Sequence, residues 1–222
     1  MQVVDVLGPI MKEINTSRDQ PVGIWGIIPA AGMGRRVGRP KQALPYGNST
    51  IVGTVTRTVL DAGIAGAVIV TRSDLIDSLD LPDDVRVGIA INDDADSEMI
   101  DSIRIALAGL AEAHSLLAVG DSPSPTDGVL MVPADMPTIT ADACRKCIAA
   151  FKTDPRRIVI ATYEGKRGHP IIFPLGLQPT IYSLTQGLRQ LARIHPDRVH
   201  LIETDEPGVT QDVDTLEDYE RL

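Results

Sequence analysis

Residues 27–41 read Ile27-Ile28-Pro29-Ala30-Ala31-Gly32-Met33-Gly34-Arg35-Arg36-Val37-Gly38-Arg39-Pro40-Lys41, an apolar run that breaks into a glycine-rich, basic loop. A buried strand that ends in such a loop is the opening unit of an α/β sheet with a phosphate cradle at its edge. Gly32, Gly34 and Gly38 can take positive φ and let backbone N–H groups approach a ligand, while Arg36 and Lys41 add positive charge beside those donors. The loop is not a GxxxxGK[ST] P-loop, because Lys41 is followed by Gln42 and not by a magnesium-binding hydroxyl. It is not a dinucleotide fingerprint either, since Gly38 falls four residues after Gly34, not three, and no strand-ending acid follows at the right distance.

Working outward, apolar runs alternate with helical patterns. Strands are expected at 22–28, 67–71, 85–91, 129–132 and 157–162, and helices at 51–62, at 99–113 and from Ala141. Mostly apolar strands in repeated βα units predict a mostly parallel central sheet with helices on both faces. Ligands of such sheets sit beyond the carboxyl ends of the strands. The glycine loop follows the first strand and Pro133-Ala134-Asp135-Met136-Pro137 follows the strand ending at Val132, so both fall on one edge. Asp135, stiffened by a proline on either side, is a candidate Mg²⁺ ligand.

At 222 residues the chain is most simply one domain with a preceding extension, enough to bury about 70% of its unfolded surface. The expected division is residues 1–21 as a helical extension and 22–222 as the main domain. Aromatics are only 3% of the chain, so aliphatic side chains must form the core. A net charge of −9 argues against nucleic acid or an anionic membrane as partner. The first twenty residues carry Asp5, Lys12 and Glu13 and suit neither a secretory signal nor a membrane span, which predicts a cytoplasmic protein.

The C-terminal segment Gln211-Asp212-Val213-Asp214-Thr215-Leu216-Glu217-Asp218 places Asp212 and Asp214 on the same side of an extended chain, and Thr215 with Asp218 forms a helix capping box. This acid pair is the candidate source of a second metal ligand. Cys144 and Cys147 form a C-x-x-C inside a capped helical pattern, with no second pair to complete a zinc site, and read as two small residues on a helix face. Asp93-Asp94-Ala95-Asp96 lacks the pattern of a calcium loop and reads as a solvated turn.

Residues 29–45 resemble the nucleotidyltransferase signature (L/P)AAGxGxRxGxxKxxLP. Together with Ala134-Asp135-Met136-Pro137, Arg167-Gly168-His169-Pro170 and the terminal acids, they resemble the molybdenum cofactor cytidylyltransferases and their MobA-like NTP transferase relatives, from about Val22 to Tyr219. The resemblance implies a Rossmann-like fold and a Mg²⁺-dependent transfer of CMP from CTP to molybdopterin with release of pyrophosphate; a molybdoenzyme is the implied recipient of the product. It places Ala30, Ala31, Gly32, Gly34, Arg36, Gly38 and Lys41 at the nucleotide, with Met99 and Ser102 at the matching positions of a second nucleotide segment. Arg36, Lys41 and Asp135 become catalytic, Asp135 and Asp214 metal-binding, and Arg167 and His169 acceptor-binding. The Ala30-Ala31-Gly32 form resembles the cytidylyl branch more than the guanylyl branch.

One departure concerns the acceptor: the family's Gly-Asp-x-Gly-Ala-Arg is Leu184-Thr185-Gln186-Gly187-Leu188-Arg189 here. The acceptor reading therefore stays open to another phosphorylated small molecule, and because fold does not fix function a nicotinamide-dependent reductase and a non-catalytic accessory protein on the same fold stay open beside it.

Overall fold

The structure, a computed structural model, describes residues 22–34, 40–116 and 124–222. The 1–21 extension and the loop positions Arg36 and Gly38 lie outside the described residues. The chain runs β1 (Ile24–Pro29), a small β2–β3 ribbon (Pro45–Tyr46 and Ser49–Thr50), α1 (Ile51–Asp61), β4 (Gly66–Thr71), β5 (Val87–Ile91), α2 (Met99–Leu116), β6 (Gly128–Met131), α3 (Ala141–Thr153), β7 (Ile158–Tyr163), β8 (Lys166–Pro174), α4 (Gln178–Ser183), α5 (Arg189–Ile194), β9 (Val199–Glu203) and α6 (Leu216–Glu220).

Seven strands form the sheet in the order β5-β4-β1-β6-β8-β7-β9. Every pairing is parallel except those of β8, which runs against both β6 and β7. The fold is therefore Rossmann-like, mostly parallel and covered on both faces. Alternation along the strands shows why. In β1, Ile24 and Ile28 join a core cluster with α1 and α3, whereas Trp25 and Ile27 join a second cluster with α2, α4 and α5. Strands buried on both faces have no polar side, which explains their nearly unbroken apolar sequence.

Local signals fix the helix starts. Thr50 accepts from the Gly53 amide at 3.1 Å and Thr140 from the Ala143 amide at 3.1 Å. The expected capping box is present: the Asp218 amide donates to Thr215 Oγ1 at 3.1 Å, and the Thr215 amide to Asp218 Oδ2 at 2.8 Å. Cys144 and Cys147 are buried free thiols on α3, each pushed up to about 12 chiefly by burial, so neither is a ready thiolate.

β8 and β9 go beyond the strands expected from the apolar runs. Gly168 and Pro170 interrupt β8 and argue against a strand, and β9 is a largely exposed edge strand. Elsewhere the boundaries move by a few residues: β1 begins at Ile24 and α2 continues to Leu116. Among the described residues no helix is long and apolar enough to cross a membrane.

Gly168 sets how β8 meets the C-terminal segment. A Cβ there would lie 1.8 Å from the Val209 carbonyl oxygen, so only glycine lets the 207–210 turn seat against the strand. Gly168→Ala is expected to destabilise the protein by about 1–3 kcal/mol, the usual penalty of overpacking. It should also displace the segment bearing Asp212 and Asp214; thermal unfolding and a crystal structure of the variant check both.

Candidate active site

β1 lies between β4 and β6, so the chain direction of the crossovers reverses there, and the loops leaving β1 and β6 share one edge. The glycine loop leaves β1 held by main-chain bonds, with the Ala30 amide donating to Val70 O at 2.7 Å and the Ala134 amide to Pro29 O at 3.2 Å. Gln42 completes its support. This side chain, only 4% exposed, donates through Nε2 to Ala30 O at 2.7 Å and Gly32 O at 3.0 Å. Gly34 takes φ +59°, the left-handed conformation that the glycine spacing anticipates. At Gly32, apart from its chain neighbours, no atom of the described residues lies within 4 Å of the position a Cβ would occupy, leaving space above the loop.

That space is a cavity of about 140 Å³ lined by Ala30, Ala31, Gly32, Lys41, Met99, Ser102 and Asp135 among others, about the room that admits one aromatic ring. Its far wall is the turn before α2. Asp94 and Ala95 line it, so the acidic run is a turn as read but also part of the cavity wall. Asn92 braces this turn, its Nδ2 donating to Ser97 Oγ at 3.0 Å and to Ser102 Oγ at 3.2 Å. The Ser102 hydroxyl is thus engaged with Asn92 and buried.

A larger cleft of about 790 Å³ opens on the other side of Asp135 and Met99, which line both spaces. Arg167 and His169 line it, as do Gln186, Arg189, Arg193, Asp212 and Asp214, with Met131, Ile171 and Leu188 among its apolar walls. Burial holds the His169 imidazole down at about 4, opposed by a hydrogen bond that the ring donates to the Met131 backbone carbonyl and reinforced by the nearby Arg189 charge. His169 is therefore neutral at neutral pH, and positive charge in the cleft comes from arginines.

The two spaces meet at an ionic cluster. Lys41 Nζ donates to Asp135 Oδ2 and to Asp214 Oδ1, both at 3.0 Å. The acids come from segments about eighty residues apart in sequence, joined where the Val213 amide donates to Asp135 O at 2.9 Å. Burial lowers the Lys41 pKa, but the two carboxylates outweigh it and the net shift is upward. Asp212 stands nearby with its carboxyl pushed up by burial and by the charges of Asp214 and Asp135. The two carboxylates that meet at Lys41 are of the donor type that Mg²⁺ and Mn²⁺ take, although among the described residues no group of three or more acids, histidines or cysteines is arranged to hold a metal.

Of the sequence-derived candidates, Ala30, Ala31, Gly32, Lys41, Met99, Ser102 and Asp135 gather around one cavity, and Arg167, His169 and Asp214 around the adjoining cleft. Gln42, Asn92 and Arg193 were not singled out from sequence. Gln42 and Asn92 act through buried hydrogen bonds that leave no periodic trace, and Arg193 lies on a helix of six residues, too short for a pattern.

Residues 26–201 match the model of the MobA-like NTP transferase domain. The chain is 30% identical to the nicotine blue oxidoreductase of Paenarthrobacter nicotinovorans, covering 90% of this chain and 96% of that one. It is 26% identical to the molybdenum cofactor cytidylyltransferase of Escherichia coli strain K12, covering 87% and 92%. Among solved structures, Rv0371c of Mycobacterium tuberculosis H37Rv superposes with a TM-score of 0.73 at 24% identity, covering 91% of this chain and 97% of that one, a likeness of fold.

Because the folded-state pKa of His169 lies below that of the unfolded chain, protonation favours unfolding, and stability should fall as pH drops from about 6.5 toward 4. An NMR titration is expected to find this ring neutral from pH 8 down to pH 5, and His169→Asn should flatten the acid limb of the stability profile.

Proposed function

Since this chain belongs to the MobA-like NTP transferase family, we propose that it transfers CMP from CTP to the molybdopterin form of the molybdenum cofactor, with Mg²⁺ and release of pyrophosphate. The observation that carries this reading is the cluster of Lys41, Asp135 and Asp214 at the seam between a ring-sized cavity and a cleft lined with arginines. In the reaction an acceptor phosphate oxygen bonds to the α-phosphorus of CTP, and the bond from that phosphorus to the leaving pyrophosphate breaks.

The backbone of Ala30, Ala31, Gly32 and Gly34 cradles the nucleotide, and Arg36 and Gly38 belong to the same loop. Lys41 meets charge developing on the α-phosphate. Asp135 and Asp214 hold the Mg²⁺, which when bound offsets negative charge on the phosphates. Met99 separates nucleotide from acceptor. On the acceptor side Arg167 meets negative charge, whereas neutral His169 hydrogen-bonds without neutralising it. A cleft of about 790 Å³ with apolar walls suits a pterin better than a small sugar phosphate or phosphoalcohol. The Ala30-Ala31-Gly32 form supports CTP over GTP.

Lys41→Ala and Asp135→Asn are each expected to lower kcat by on the order of 10²- to 10³-fold in a pyrophosphate-release assay with CTP and molybdopterin; full activity in both variants refutes the assignment.

The relative named an oxidoreductase supports a second reading, a nicotinamide-dependent reductase on the same scaffold. The glycine spacing of residues 32–38 counts against it. A thermal-shift panel separates the two. Stabilisation by CTP with Mg²⁺ is expected, and stabilisation by NADH or NADPH alone, indifferent to Mg²⁺, would replace the transferase with the reductase.

A further inference from the structure

Lys41 is placed as two things at once: a wall of the nucleotide cavity, and the cation between two carboxylates. Asp135 lines both spaces, whereas Asp214 lines only the cleft. The ammonium is mostly enclosed, with 16% of its side chain exposed, Asp135 is 25% exposed, and Asp214, at the cleft mouth of the cluster, is 46% exposed. Water therefore screens the cluster only in part, and separating its charges carries more weight than at an open surface. Asp135, Asp212 and Asp214 all line the one cleft, so three carboxyl groups share a space in which a cation offsets their mutual repulsion.

A lysine meets this need without fixing it permanently. Its charge is a compact point on a flexible four-carbon stem, with none of the planar fork by which an arginine locks two carboxylates. From the same anchor it can turn toward the glycine loop, because Lys41 lines the cavity that the loop floors. A phosphate there would compete with the two carboxylates for the ammonium.

We propose that Lys41 is an exchangeable internal counter-ion: it keeps Asp135 and Asp214 together until substrate arrives, then passes from the carboxylates to the nucleotide's phosphates as the carboxylates pass to the divalent cation. This rests on the transferase reading of the site. Charge stays compensated at both ends of the exchange, and metal and nucleotide are thereby coupled through a residue of the protein itself, beyond their affinity for each other in solution. The device also guards the site, because a divalent cation alone must evict the ammonium with no phosphate to receive it.

The test needs no turnover. Mn²⁺ alone is titrated into the full chain by electron paramagnetic resonance, for the wild type, Lys41→Met, and Lys41→Met combined with Asp135→Asn, with thermal unfolding as the check on folding. Lys41→Met removes the charge at similar length, so its Mn²⁺ affinity should rise by on the order of tenfold over wild type, the middle of the range of site-to-site coupling. The Asp135→Asn combination should abolish the gain. Equal Mn²⁺ affinity in wild type and Lys41→Met, both dependent on Asp135, overturns the exchange and leaves the metal site standing. No Asp135-dependent binding in any form overturns the metal assignment beneath it. Should Lys41→Met fail to fold, Lys41→Gln, which can still donate to a carboxylate, takes its place with the same expected direction.

Discussion

A single main-chain hydrogen bond, from the Val213 amide to the Asp135 carbonyl, ties the C-terminal segment to the loop after β6. It sets the register at which Asp212 and Asp214 stand beside Asp135, next to the Gly208 turn that packs against Thr138. Several features conspire to make it form. β8 presents Gly168, whose missing side chain admits the 207–210 turn. Val213 is buried with Leu44 and Ile51 in a small cluster of its own, and the capped α6 follows at once. The register of the acids thus comes from backbone and apolar contacts, and the charged groups inherit their positions.

The same economy governs the electrostatics. The chain is acidic overall, and acids also line the candidate cavities, so attraction for an anionic ligand must be local. Lys41 at the seam and the arginines of the cleft supply it, against a background that repels non-specific polyanions. Gln42 is the neutral counterpart: by satisfying two loop carbonyls it holds the glycine loop in shape without adding charge.

Much of this was legible in sequence because the strongest signals were local. The run into Gly32 marked the strand and its loop, and the strands flanking β1 were visible because burial on both faces removes polar residues from them. Asp135 and Asp214 could be nominated from short motifs, but their meeting at Lys41 is a long-range fact that no spacing reports. β8 was hidden because a glycine and a proline serve its packing at the expense of strand propensity. Asn92 and Gln42 were hidden because a buried amide looks in sequence like any surface amide. The neutral state of His169 was equally invisible, since it follows from enclosure and not from residue type.

The antiparallel strand β8 has a consequence for how such proteins diversify. It separates the sheet into a parallel half that carries the glycine loop and a half, β8 with α5, that walls the larger cleft. Substitutions in the second half can reshape what is accepted there while the first half keeps its buried strands and its loop. Relatives alike to this chain over nearly their whole length carry names as different as an oxidoreductase and a cytidylyltransferase, and in a scaffold divided in this way one half can vary while the other keeps its buried strands.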